Sequence, residues 1–389
     1  MTDLSQLVLK NSTDPYLRAK ERGWKITDAS TLTEPLSLEA DVLIVGSGAG
    51  GGTAAETLAK AGLRVVILEA GPLLSSSDFK LDERQAYRDL YQEGTGRATK
   101  DTAINILQGR SVGGSTTVNW TSSFRTPEPT LAHWAEHMGV QECSAAQLAP
   151  YFDEMVERLG IAEWQMLPNP NNEVLARAAE QLGYTWKKIP RNVRGCLNLG
   201  YCGLGCPVDA KQSMLVTTIP GALDHGAQLV HRAQVERLLI EGDQVRGAEA
   251  VALDQRARKT IGQSISVRAR ATVLCGGGIQ NPGILLRSKA PDPQNRIGKR
   301  TFLHPTVLAY AVYDEAIDPY YGAPQSVYSD HFQWQQVSGP QMGFKLEVPP
   351  LQPAFAAGFS ALSGEALTEG MGELSHTHAM IALMRDGFH

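Results

Sequence analysis

The sequence predicts an α/β protein whose main sheet is parallel and doubly wound, joined to a smaller portion that is rich in strands. Three features support this class. A strand, a glycine-rich turn and a helix follow one another after residue 40, and the same order returns after residue 270. Residues 311–389 are richer in aromatic side chains and prolines, which favours a separate, more β-rich unit.

Length and composition exclude several classes of protein. A chain of 389 residues exceeds the roughly 250–300 residues at which a single hydrophobic core stops growing, so more than one domain is expected. The net charge of −5 argues against nucleic acid as a partner. The N-terminal residues lack the apolar core of a signal peptide, and no apolar run reaches about 18 residues, so we expect a cytoplasmic protein with no transmembrane segment.

The segment Asp41–Pro72 predicts a dinucleotide site. Its strands VLIVG and RVVILE flank a helix, TAAETLAKA, and Gly46, Gly48 and Gly51 satisfy G-x-G-x-x-G between the first strand and that helix. Such glycines permit a tight turn and a close approach of the backbone to a pyrophosphate, which lies at the N-terminus of the helix. Glu69 ends the second strand, where a carboxylate accepts hydrogen bonds from a ribose and repels a 2′-phosphate. This unit predicts FAD or NAD rather than NADP, and it does not separate the first two.

A second glycine-rich segment, GRSVGGSTTVNW, covers residues 109–120 and has the composition of a loop. It resembles the flavin-binding signature GR-x-x-GG-S-S/T-x-x-N of the glucose-methanol-choline (GMC) oxidoreductases. Adjacent glycines let backbone N–H groups approach a phosphate or a ring edge. The residues at the matching positions are Arg110, Gly113, Gly114, Ser115 and Asn119.

The resemblance to this family continues from about residue 41 to residue 310. A predicted strand pair over residues 228–253 is similar to the pair that contacts adenine, which places Val235 at that contact. The stretch ATVLCGGGIQNPGILLRS resembles the second family signature, with Asn281 and Lys289 departing from it. The resemblance implies FAD as the cofactor.

From this resemblance we expect three parts of the chain. A polar N-terminal extension covers residues 1–40, and a Rossmann-like FAD-binding domain covers residues 41–310, with helical and cysteine-rich insertions at about 130–210. A partial β-rich, α+β substrate-binding domain covers residues 311–389.

The family resemblance implies oxidation of an alcohol by hydride transfer to flavin N5, with a histidine base from the C-terminal part of the chain. We expect that histidine to lie beyond residue 389, so the catalytic residue is unassigned. His304, in LHP, is a weak candidate because a histidine in such a turn is more often structural. His376, His378 and His389 lack the family's sequence setting.

The three residues Cys196, Cys202 and Cys206 form a C-x5-C-x3-C pattern. It resembles a segment of long-chain alcohol oxidases and of bacterial sugar dehydrogenases, some of which hold an iron–sulfur cluster there. Such a cluster would pass electrons to an acceptor protein or a quinone. A tetrahedral zinc site lacks an identifiable fourth ligand. We favour the alternative, a glycine-rich loop with reduced thiols and no metal.

The function predicted from these features is that of an FAD-dependent oxidoreductase acting on the CH–OH group of a small-molecule alcohol. Aromatic side chains over residues 307–359 favour an apolar alcohol over a sugar. One alternative is a truncated or non-catalytic protein that binds FAD or another dinucleotide. The other is an NAD-dependent dehydrogenase, which conflicts with the second glycine-rich segment. The specific alcohol, the choice between oxidase and dehydrogenase, and the oligomeric state stay open.

Overall fold

The computed structural model describes residues 13–334 and 343–386, which form two compact units. Unit 1 comprises Met1–Asn119 and Gly203–Thr301, and unit 2 comprises Trp120–Cys202 and Phe302–His389. The chain thus leaves unit 1 after the second glycine-rich segment and returns to it before the second strand–glycine–helix pattern. The domain boundaries expected at residues 40 and 310 stay a prediction, and the structure groups residues 120–202 with the C-terminal residues.

The strands and helices are numbered here in chain order. The strands are β1 Lys25–Asp28, β2 Leu36–Val45, β3 Val65–Glu69, β4 Ile161–Glu163, β5 Lys187–Lys188, β6 Pro190–Asn192, β7 Gln228–His231, β8 Ala233–Glu241, β9 Gln244–Leu253, β10 Thr260–Leu274, β11 Thr306–Val312, β12 Val327–Ser329, β13 Phe344–Glu347 and β14 Thr377–Met384. The α-helices are α1 Ala49–Lys60, α2 Glu83–Leu90, α3 Glu128–Met138, α4 Ala145–Arg158, α5 Pro170–Leu182, α6 Thr218–Asp224, α7 Gly277–Arg287, α8 Pro353–Phe359 and α9 Gly364–Gly372. Short 3₁₀ turns connect several of them, including Gly114–Thr117.

The main sheet of unit 1 has the strand order β1-β7-β3-β2-β10-β9-β8. The pairs from β1 to β10 are parallel, and β10, β9 and β8 form an antiparallel meander. Apolar β-branched runs suit strands that are covered on both faces, and Leu43, Ile44 and Ile67 are fully buried. This sheet confirms the predicted α/β class.

Two strand–turn–helix units place helix starts at one edge of this sheet. β2 leads into α1 and β10 leads into α7, and β2 and β10 are parallel neighbours. Their carboxyl ends therefore meet at the same edge of the sheet, which is where open α/β sheets bind ligands. The predicted turn between the strands of the 228–253 pair is also present, with Gly242 at a φ of +64° between β8 and β9.

The N-terminal region contributes to the sheet more than its composition predicted. β1 lies within the stretch read as a polar extension and pairs in parallel with β7, while β2 begins at Leu36 and pairs with β10 from that residue onward. Polar and apolar side chains alternate in the first half of β2, and its outward residues are exposed. The start of β2 was missed because only its second half forms the continuous apolar run that predicts a strand.

Unit 2 contains an antiparallel five-stranded sheet in the order β11-β14-β13-β12-β5, in agreement with the β-rich character predicted for the C-terminal part. Helix α5 packs on this sheet through Leu175, which lies in a cluster with Val327 and Val348. A second cluster joins Leu351, Leu374 and Ala379. In residues 13–334 and 343–386, no helix combines the length and the apolar character needed to cross a bilayer.

Candidate functional site

A cavity of about 610 Å³ opens in unit 1 at the carboxyl ends of β2, β3 and β10. Its volume falls in the range of about 300–1,000 Å³ that is usual for small-molecule and cofactor sites. Both glycine-rich segments contribute to its wall, together with the start of α7. The predicted site residues that line it are Gly46, Gly48, Glu69, Arg110, Gly114, Ser115 and Val235.

Two glycines of the first motif are required by the packing of the protein itself. Gly46 has a φ of +99°, and a Cβ atom there would lie 2.6 Å from the carbonyl oxygen of Cys275. A Cβ atom on Gly51 would lie 1.9 Å from the carbonyl oxygen of Gly46. Gly51 does not line the cavity, so its role is to let the helix pack closely against the turn.

Gly48 serves a different purpose, because a Cβ atom there would meet no protein atom closer than the Cα of Gly114, at 3.8 Å. Gly48 lines the cavity and is the N-cap residue of α1. Its missing side chain leaves space for a ligand beside the unpaired N–H groups of a 12-residue helix, where the helix dipole favours an anion. The residues therefore fit the pyrophosphate of a dinucleotide cofactor.

The Glu69 carboxylate is buried at the end of β3 and is held by three donors. Its Oε2 accepts hydrogen bonds from the backbone N–H and the hydroxyl of Ser47, at 2.9 and 2.7 Å, and its Oε1 accepts one from the Gly71 N–H at 2.7 Å. Oε1 accepts only one of these hydrogen bonds, so its second lone pair can also accept a hydrogen bond from a ribose hydroxyl. Sequence analysis did not identify Ser47.

The second glycine-rich segment lies directly against the first. Gly113 and Gly114 have φ values of +89° and +56°, which suit glycine and open the 3₁₀ turn Gly114–Thr117. The Ser47 hydroxyl accepts a hydrogen bond from the Gly113 N–H at 3.1 Å. A Cβ atom on Gly114 would lie 2.8 Å from the Cα of Gly48, so the two backbones touch at these glycines.

Polar and cationic groups complete this part of the wall. The Ser115 hydroxyl accepts a hydrogen bond from the Gly109 N–H at 2.9 Å. The Arg110 guanidinium donates to the carbonyl oxygen of Ala257, and its burial lowers the pKa of this group. Arg97, which sequence analysis missed, also lines the cavity and donates to the side chain of Gln108 at 3.0 Å. These positive charges favour an anionic cofactor.

Gly113 and Asn119 lie away from the cavity wall, whereas Val235 is part of it. Gly113 does not line the cavity, and its N–H is bound to Ser47. Asn119 is exposed and does not line the cavity, and its backbone carbonyl accepts from Lys211. Val235 is buried on β8 and lines the cavity together with Ala233 and Gln234.

The described candidate histidines lie in unit 2, and none lines the cavity in the part of the chain that the structure describes. Burial, and to a smaller extent the charge of Lys345, lowers the pKa of His304. The Nδ1 atom of His378 lies 2.8 Å from Oδ1 of Asn171, and that of His376 lies 3.1 Å from two backbone carbonyl oxygens. His389 lies outside the described residues. The catalytic residue stays unassigned.

The cysteine pattern receives no support as an iron–sulfur site. Cys196, Cys202 and Cys206 are partly buried, and the Cys202 sulfur accepts a hydrogen bond from Arg191 at 3.6 Å. Across residues 13–334 and 343–386 no group of three or more histidine, cysteine or acidic side chains is arranged to hold a metal ion. The iron–sulfur cluster is therefore unsupported, and the loop of reduced thiols stays a prediction.

Comparison with known families gives two matches. A family model described as GMC oxidoreductase matches residues 87–306, and one described as FAD binding domain matches residues 41–81. The first covers more than half of the chain, and the second contains the first glycine motif and Glu69. FAD is therefore supported as the cofactor.

Two similar curated proteins are a long-chain-alcohol oxidase, FAO4B, of Arabidopsis thaliana and the uncharacterized GMC-type oxidoreductase Rv0492c of Mycobacterium tuberculosis (strain ATCC 25618 / H37Rv). The first is 31% identical over 90% of this chain and 47% of its own length, and the second is 32% identical over 82% and 52%. The chain thus spans about half the length of these relatives.

Two solved structures share the fold. A formate oxidase variant of Aspergillus oryzae RIB40 has a TM-score of 0.62 at 15% identity, covering 91% of this chain and 73% of its own. A pyridoxine 4-oxidase of Mesorbium loti has a TM-score of 0.59 at 18% identity, covering 88% and 71%. At these identities the comparison shows similarity of the fold alone.

Proposed function

Since the chain belongs to the GMC oxidoreductase family, we propose that it is an FAD-dependent oxidoreductase that acts on the CH–OH group of an alcohol. The observation that carries this proposal is one cavity walled by both glycine-rich segments, with Gly48 and Gly114 in backbone contact. One segment has the chemistry of a pyrophosphate site, and the other matches the flavin signature. A site for NAD alone would not need the second segment.

Each part of the cavity is proposed to hold one part of FAD. The N-terminus of α1, beside Gly48, holds the pyrophosphate, and Glu69 accepts hydrogen bonds from the ribose. Val235 lies against the adenine. The flavin-bearing half follows the second segment, where Arg110 supplies positive charge and Ser115 fixes the loop. When bound, FAD supplies a hydride acceptor at flavin N5, which is the chemistry that side chains lack.

The substrate class follows from the relatives. Long-chain-alcohol oxidases are among the curated proteins that this chain resembles, and this supports an apolar alcohol as the substrate. The base that takes the hydroxyl proton and the electron acceptor, whether a protein or a quinone, belong to the whole protein and stay predictions. The cytoplasmic location is likewise a prediction from the sequence.

The proposal is tested by the visible absorption spectrum of the purified chain supplied with FAD. Anaerobic addition of a long-chain primary alcohol should bleach the oxidised-flavin band, and the alkane of equal length, which lacks the CH–OH group, should not. A whole protein that binds FAD but is bleached by no alcohol in a mixed panel would contradict the activity, whereas the same result with residues 1–389 alone would agree with a base that lies outside them. A chain that takes up no FAD would contradict the cofactor assignment.

A further inference from the structure

The segment that follows Cys206 packs against the second glycine-rich segment. No feature of it was recognised from the sequence, where only the preceding cysteine pattern was identified. This segment, residues 207–218, links the returning chain to the start of α6 and lies in unit 1. It holds one lysine, Lys211, of which only 3% is exposed. Lysine is almost never fully buried unless its ammonium group has partners, so its contacts point to a specific role.

The Lys211 ammonium group binds the end of the 3₁₀ turn Gly114–Thr117. Its Nζ donates hydrogen bonds to the carbonyl oxygens of Thr117, at 2.6 Å, and Asn119, at 2.9 Å. Carbonyls at the end of a helical turn have no partner within the turn, and a cation there is favoured by the aligned peptide dipoles. Because the donor is charged, these bonds are stronger than those from a neutral group.

The backbone of the same segment also touches the turn. The Met214 N–H donates to the Thr116 hydroxyl at 3.0 Å. A Cβ atom on Gly113 would lie 3.0 Å from the Leu215 nitrogen, so the glycine allows this close approach. The turn is therefore enclosed by residues 211–215 on one side and by the first glycine motif on the other.

We propose that Lys211 is a positioning residue for the half of the site that receives the flavin. Ser47 fixes the start of the turn through the Gly113 N–H, and Lys211 fixes its end through two carbonyls. Gly114 and Ser115, which line the cavity, lie between these two anchors. The inference rests on the proposed FAD site but not on the proposed alcohol chemistry.

The test compares how Lys211→Met changes the affinity for FAD and for ADP, measured by calorimetric titration of the cofactor-free chain. ADP reports the half of the site formed by the first motif, whereas Lys211 donates its hydrogen bonds to carbonyls at residues 117 and 119 of the second segment. We expect the Kd for FAD to rise roughly tenfold to a hundredfold, as loss of charge-assisted hydrogen bonds implies, and the Kd for ADP to stay within about twofold. The visible circular dichroism of bound FAD should also change.

Lys80→Met is the matched control, because Lys80 donates to the carbonyl of Ser77 at the same distance, 2.6 Å, but is exposed. It should leave both affinities unchanged. Lys211→Gln keeps an N–H donor without the charge and should restore part of the FAD affinity; it also serves as the test if the methionine variant does not fold.

Three results would overturn the assignment. Unchanged FAD affinity in both Lys211 variants would show that the anchor is dispensable. A parallel loss of FAD and ADP affinity would show a general structural role. A wild-type chain that binds ADP but not FAD would contradict the proposed FAD site on which this inference rests. Failure of the alcohol to bleach FAD bound to the whole protein would refute the proposed reaction and leave the Lys211 result standing.

Discussion

Adding one methyl group at Gly48 should weaken cofactor binding, whereas adding one at Gly51 should impair folding. At Gly48 the new Cβ atom meets only the Gly114 Cα at 3.8 Å and projects at the wall of the cavity. At Gly51 it would lie 1.9 Å from a backbone oxygen of Gly46, which no side-chain rotation can relieve. Gly48→Ala therefore tests the space left for the cofactor, and Gly51→Ala tests the packing of the turn.

The magnitudes follow from these distances. Gly48 has a φ of −68°, which alanine adopts without strain, and the entropic gain of about 0.4–1 kcal/mol is offset by the poorer capping of α1 by alanine, so Gly48→Ala should change the free energy of unfolding of the cofactor-free chain by less than about 1 kcal/mol. The methyl group occupies space beside the bound pyrophosphate, and overpacking of this kind costs about 1–3 kcal/mol, or roughly 5- to 150-fold in the Kd for FAD. Gly51→Ala should lower the free energy of unfolding by about 3 kcal/mol or more, because the backbone itself must move.

Denaturant unfolding of the cofactor-free variants and titration with FAD measure the two effects separately. Gly278→Ala is the control, because a Cβ atom there meets nothing within 4 Å and Gly278 does not line the cavity. Wild-type FAD affinity in Gly48→Ala would refute the assignment of this cavity to the cofactor. Wild-type stability in Gly51→Ala would refute the packing argument.

Two further predictions concern Ser47 and His378. Ser47→Ala removes a fully buried hydroxyl that binds both Glu69 and the Gly113 N–H, so calorimetric titration should show weaker binding of ADP as well as FAD. An unchanged affinity for ADP would contradict the proposal that Glu69 binds the ribose. Burial lowers the pKa of His378 to about 4, so between pH 6.5 and 4 the unfolded chain binds the additional proton and stability falls as the pH falls. Urea unfolding at pH 6.5 and at pH 4.5 measures how much free energy of unfolding is lost on acidification, and this loss should be about 2 kcal/mol smaller in His378→Gln than in wild type. An equal loss would show that another group causes the acid sensitivity, for example His231, whose pKa is also lowered to about 4 by burial.

The strand–helix–strand unit was predictable because its signals are local. The apolar runs that form β2 and β3, and the good helix formers of α1, lie within one short stretch, as does the glycine motif between them. The helical insertion predicted from about residue 130 begins with two helices, because Gly139 adopts a φ of +66° and ends α3. β1 was missed because its four residues are mostly polar and do not form an apolar run.

The contacts that join the two glycine-rich segments could not be predicted, because their partners are far apart in the sequence. Ser47 and Gly113 are separated by 66 positions, and Lys211 and Thr117 by 94. Nothing in the residue type of Ser47 distinguishes it from any other serine in a turn. Its role appears only when β2, β3 and the second segment are brought together by the parallel pairing of the strands.

The structure also divides the glycines of the motif by the kind of contact that each one permits. Sequence comparison treats Gly46, Gly48 and Gly51 as one pattern, but two of them satisfy contacts within the protein and one leaves space in the cavity. Gly114, from the second segment, completes this wall by resting on the Gly48 backbone. A cofactor site that spans both segments therefore needs the turn at Gly114 to keep a fixed position against the helix start at Gly48. Ser47 and Lys211 are the side chains in the described structure that can provide this, since each binds one end of that turn.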